Sequence, residues 1–129
     1  MADHDNTERY LALAEAVVGA FAYVASLLED LPLPITVPDL VQAGEGEPTK
    51  VLVGLNRART LIADEPISHG HKRAFERMML DWFAAYETLA LVRLAGPAPW
   101  RLDVAEYALE RLVTWIEMIE NDELNDDES

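Results

Sequence analysis

The chain has no cysteine among its 129 residues. That excludes a disulfide framework, a thiolate nucleophile and any cysteine-ligated metal centre. Serine is nearly as scarce. Ser26 and Ser68 are the only two before the C-terminal Ser129, and neither lies in a G-x-S-x-G setting. Bases are few: 10 Lys and Arg face 24 Asp and Glu, for a net charge of −14. Such a balance repels nucleic acid and anionic membranes and attracts basic partners. The sequence also lacks an internal repeat, a strand-like alternation and, at its start, the positive n-region of a signal peptide. We therefore expect a cytoplasmic protein. Half of the residues are hydrophobic, so the acidity does not imply disorder. At this length one domain can bury roughly two-thirds of its unfolded surface.

The charge is loaded at the ends. Residues 1–50 carry nine acids against Arg9 and Lys50, a net −7. The segment 51–95 is +1, and residues 96–129 carry ten acids against Arg101 and Arg111, a net −8. One stretch near the N-terminus, Tyr10 to Leu28, holds Glu15 as its single charge and approaches the length of a membrane span. Its Ala content, Glu15 and the absence of a basic flank favour a buried helix of a soluble fold.

Helical periodicity accounts for most of the chain. Helix 1 is expected from Thr7 to Asp30, capped by Thr7 or Asn6 and stopped by Pro32 and Pro34. Tyr10, Leu13, Val17, Phe21, Val24 and Leu28 form its apolar stripe, and Ala12, Ala16 and Ala20 a second stripe of small residues. A Pro/Gly-rich connector spans residues 31–50, with a short helix expected from Pro38 to Ala43. Helix 2 is expected from Thr49 to Asp64, with Leu52, Leu55, Leu61 and Ile62 inward and Gly54 costing about 1 kcal/mol relative to Ala. Helix 3 runs from Ser68, a good cap, to Ala95 before Gly96 and Pro97. Phe75, Met79, Trp82, Tyr86 and Leu89 make its stripe, flanked by Met78, Phe83 and Leu94. Helix 4 starts between Pro99 and Asp103, where Asp103-Val-Ala-Glu106 resembles a capping box, and runs to about Asn121. The fold expected is all-α: a single domain over residues 1–121, a bundle of four main helices, followed by an acidic disordered tail over 122–129.

Helix 4 carries the sharpest pattern. Asp103, Glu106, Glu110, Glu117 and Glu120 fall within an arc of about 100°, over roughly 25 Å of axis. Asp122 and Glu123 extend the row into the tail. Carboxylates spaced in this way can imitate the phosphate row of a nucleic acid. Leu102, Ala105, Leu109, Leu112, Ile116 and Ile119 form the helix's core face. Val104, Tyr107, Trp115 and Met118 form another beside it, a candidate surface for self-association.

Other clusters are weaker. Asp64, Glu65, His69 and His71 are metal-ligating types, but their spacing around Pro66 and Gly70 is poor, so no metal site is expected. Arg57, Arg59, Lys72, Arg73 and Arg77 give a local basic excess, expected to stay on solvated helix faces, or to pair with Glu65 and Glu76 or with the acidic face of a second copy. Met78, Met79, Trp82 and Phe83 read as core. With no nucleophile–base pair, phosphate loop or Glu-x-x-His motif, we expect neither catalysis nor a cofactor.

The function expected is a non-catalytic, acidic protein–protein interaction module binding a basic protein. Its most specific form is an inhibitor occupying a basic nucleic-acid-binding surface, by analogy of charge and size to phage proteins that blunt bacterial defence. No direct contact with nucleic acid or membrane is expected. The alternative is a dimeric helical adaptor, chaperone or immunity-type protein that binds through apolar faces.

Overall fold

The computed structural model describes residues 2–38 and 48–121. Where the apolar residues recur at helical spacing, helices form. They are α1 (Ala2–Glu29), α2 (Pro48–Leu61), α3 (His69–Ala95) and α4 (Pro99–Glu120), with a 3₁₀ turn at Ile62–Asp64 after α2. No strand occurs among the described residues, and the architecture is the all-α bundle that the periodicity predicts. Of the expected Pro38–Ala43 helix, only Pro38 is described, and it is not helical. The remainder of that helix and the 122–129 tail, with Asp122 and Glu123, lie outside the described residues.

The helix ends explain themselves locally, with two corrections. Helix α1 begins at Ala2, so Thr7 and Asn6 are interior positions rather than caps. Helix α4 begins at Pro99, where the fixed φ of proline suits the first turn, with Ala98 as its cap residue. Asp103 therefore sits inside the helix, and the expected capping box does not form. Ser68 does cap α3, its Oγ accepting the His71 N–H at 3.1 Å. The other end of α3 closes on Gly96 at φ 100°, a conformation that favours glycine.

Helices α1, α3 and α4 form the core. The three-residue turn 96–98 makes α3 and α4 an antiparallel hairpin. Helix α1 runs parallel to α4: Arg9 meets Asp103 and Glu106 at one end, and Tyr23 lies beside Glu120 at the other. Trp82 of α3 is completely buried. Its ring packs at 5.0 Å from Phe21 and stacks at 5.2 Å on Tyr86, while its Nε1–H donates to the Val17 carbonyl at 3.0 Å. A buried indole keeps its single donor satisfied in this way. Met78 and Met79 are buried beside it, as their pattern predicts.

Helix α2 covers one end of the bundle. It buries Val51, Leu55, Ala58 and, in the following turn, Ile62. Leu61, expected inward, is exposed, because the stripe that packs is set by Val51 and Leu55. Leu94 at the end of α3 is likewise exposed, lying beyond the reach of its neighbours. The extended segment after α1 buries Leu31, Ile35 and Val37 and returns along α2. Pro38 there rests on Gly54, where an added Cβ would come within 2.5 Å of the ring. The glycine that weakens α2 by propensity is thus what admits the chain crossing it.

Candidate partner-binding surface

The carboxylates of α4 divide into two groups. Asp103 and Glu106 are engaged: Arg9 Nη2 of α1 lies 2.7 Å from Asp103 Oδ1 and 3.2 Å from Glu106 Oε1. The hydrogen bond to Asp103, with the nearby charge of both acids, pushes the Arg9 guanidinium pKa up. Glu110, Glu117 and Glu120 are exposed and form no ion pair among the described residues. Sequence periodicity places all five on one arc but cannot show that a base from the far end of the chain covers two of them.

Between α1 and α4 runs an open groove of about 460 Å³. Ala16, Gly19 and Ala20 line it from α1, with Ile116 from α4. Tyr23 and Val113 stand at its sides, both exposed, and Glu117 and Glu120 edge it on the α4 side. The small-residue stripe seen in the sequence therefore splits. Ala20 is buried, whereas Ala12 and Ala16 face outward. Leu11 and Val18 add to the exposed apolar side of α1. This helix is long and apolar enough to cross a membrane, but its inner face is packed into the core through Leu13, Val17, Phe21, Val24 and Leu28.

The four residues read as a self-association face do not share one environment. Val104 and Tyr107 are exposed. Trp115 is half-buried against the core, Met118 is also half-buried, and the Trp115 side chain hydrogen-bonds Asp81 of α3. Periodicity placed them on one broad arc, and α3 covers part of it.

Asp81 is the charged residue that sequence reading passed over. It is buried, and its Oδ2, at 3.5 Å from Arg111 Nε of α4, is the oxygen that accepts no hydrogen bond among the described residues. Burial pushes its carboxyl pKa up, against the opposing effects of Arg111, the Trp115 hydrogen bond and Arg77. A signal existed: Asp81 falls in helical phase with Met78 and Ala85, both buried.

The histidine cluster is not assembled. Glu65 is buried and turns to the Leu33 N–H, which donates to its Oε1 at 3.0 Å. His71 bonds Ser68, and His69 and Asp64 are exposed. No group of three metal-ligating side chains occurs among the described residues. In the basic stretch, Lys72 Nζ donates to the Ala63 carbonyl at 2.9 Å and Arg59 to Asn56 at 3.2 Å. None of Arg57, Arg73 and Arg77 forms an ion pair among the described residues. Comparison of the chain with protein-family models, with curated proteins and with solved structures finds no match in any of the three.

Proposed function

We propose that this protein is a non-catalytic interaction module of the cytoplasm that holds a basic protein through the outer carboxylates of α4. One observation carries the reading: Glu110, Glu117 and Glu120 stand exposed, with no ion pair among the described residues, on a chain of net charge −14. Unpaired surface carboxylates accelerate encounter with a cationic partner and make the complex salt-sensitive. The more specific form, an inhibitor that takes the place of a nucleic acid strand, draws on the same row. With Asp103 and Glu106 sharing the one positive charge of Arg9, the row is weaker at that end than the sequence implies, and the broader reading is the better supported. The test compares partner capture by the wild type and by the triple variant Glu110→Gln, Glu117→Gln, Glu120→Gln. A basic protein retained at low salt, released at high salt and lost with the variant is the expected result. Equal retention by both proteins through high salt refutes the reading.

A second reading, a homodimer through apolar faces, is favoured by the exposure of Val104 and Tyr107. It predicts association that is insensitive to salt and weakened by Tyr107→Ser.

A further inference from the structure

We propose that the groove between α1 and α4 seats one amphipathic helix of a basic partner, with apolar side chains on its floor and Lys or Arg against the carboxylates beside it. The inference rests on the reading of the α4 carboxylates given above and supplies the place where such a partner lies.

The floor is built for close approach. Ala16, Gly19 and Ala20 project little, and a Cβ added to Gly19 meets nothing within 4 Å. Small residues along a helix let another backbone come near, and the stretch from Ala16 to Tyr23 spans roughly 10 Å, or two helical turns. Tyr23 and Val113 offer apolar contact at the sides of this strip.

Charge selects the occupant. Glu117 and Glu120 edge the α4 side. Glu15, exposed and unpaired among the described residues, lies one turn before Gly19 on α1, about 40° around the helix from it. No base lines the groove, and Arg9, about two turns before Ala16 on α1, is committed to Asp103. A helix entering here meets carboxylates on both flanks, which fits cations on both edges of an apolar stripe. The geometry is that of an amphipathic helix laid in a groove. A second copy of this chain is disfavoured, because each copy brings a net charge of −14.

The probe is a dye-labelled peptide of about 18 residues, or five turns, with Leu and Ala on one helical face and Lys elsewhere. Its control is a scrambled peptide of the same composition without an apolar face. Anisotropy titrations against the full chain should give micromolar affinity for the first peptide and at least tenfold weaker binding for the second. Gly19→Leu and Ala16→Leu each fill the groove while leaving every carboxylate in place, and circular dichroism verifies their folding. Either variant should weaken the amphipathic peptide at least tenfold. Equal binding of both peptides, untouched by groove filling but lost in the Glu110/Glu117/Glu120→Gln variant, overturns the groove and leaves the acidic-surface reading standing. No binding of either peptide at low salt overturns both. Sedimentation showing a dimer that Gly19→Leu dissociates would assign the groove to a second copy and end the proposal.

Discussion

Arg9 bridges α1 to α4 by holding Asp103 at 2.7 Å and Glu106 at 3.2 Å, residues that stand more than ninety positions away in the chain. The contact ties the parallel pair within the N-terminal three turns of each helix. It also occupies two carboxylates and offsets one of their two negative charges on the surface that is proposed to attract a partner.

Replacing Arg9 by Gln should therefore have opposite effects on stability and on binding. Exposed ion pairs contribute about 0–1 kcal/mol, so urea unfolding should show a loss within that range. Binding of the cationic amphipathic peptide should tighten by roughly two- to fivefold and depend more steeply on salt, because Asp103 and Glu106 join the attracting row. Unchanged affinity and salt slope in Arg9→Gln would show that these acids do not contribute to the field the partner feels.

The buried Asp81 predicts a pH signature. Its folded pKa lies above the ordinary 3.8, chiefly because burial disfavours the ion. Over the interval between the unfolded and folded values, the native state binds more protons than the unfolded chain. Stability from this group therefore rises as pH falls through the folded pKa toward about 4, and the ionised form is a net cost at neutral pH. Asp81→Asn, neutral throughout, should lack this component. Thermal unfolding of both proteins between pH 7 and pH 4 should show the stability difference shifting in favour of the wild type as pH drops. A difference that stays constant with pH contradicts the assignment.

Two glycines in helices should respond to alanine with opposite signs. Gly19 has open space, so Gly19→Ala should stabilise by about 0.5–1 kcal/mol through helix propensity alone. At Gly54 the same change brings a Cβ to 2.5 Å from Pro38 Cδ, a ring atom of a crossing segment. Gly54→Ala should destabilise by about 1–3 kcal/mol despite the propensity gain, as overpacked sites do. Midpoints of denaturant unfolding compare the two directly.

Trp82 links α3 to α1 through one side chain, by its ring on Phe21 and its N–H on the Val17 carbonyl. Trp82→Ala should cost about 3–5 kcal/mol, as large core deletions do. Trp82→Phe keeps much of the packing but removes the donor to the Val17 carbonyl, and should cost less than Trp82→Ala. Calorimetry of the pair separates packing from the hydrogen bond. Equal costs would mean that the indole N–H, not the ring volume, dominates.

Much of this fold can be read without coordinates. Leu13, Val17, Phe21, Val24 and Leu28 recur at helical spacing and are all buried, and Ser68 caps α3 as its residue type implies. Local boundaries were less legible. The Asp103–Glu106 pattern looks like a capping box until Pro99 starts the helix a full turn earlier, and Leu61 looks inward until Val51 sets the phase of α2. In each case a neighbouring element decided between two locally acceptable choices.

The amino-acid order alone determined the helices, the turn at Gly96 and the acidic arc of α4, because backbone propensity, capping and periodicity act over a few residues. It also determined the absence of thiol chemistry and the sign of the surface. Which carboxylates on that arc remain unpaired, which small residues of α1 form an open floor and which acid is buried beside Arg111 were settled by packing. Those properties depend on the pairing of Arg9 with Asp103 and of Asp81 with Arg111, and on the groove that Ala16 and Val113 line together. Such pairs are far apart in the chain and meet only once α1, α3 and α4 bury their apolar faces against one another.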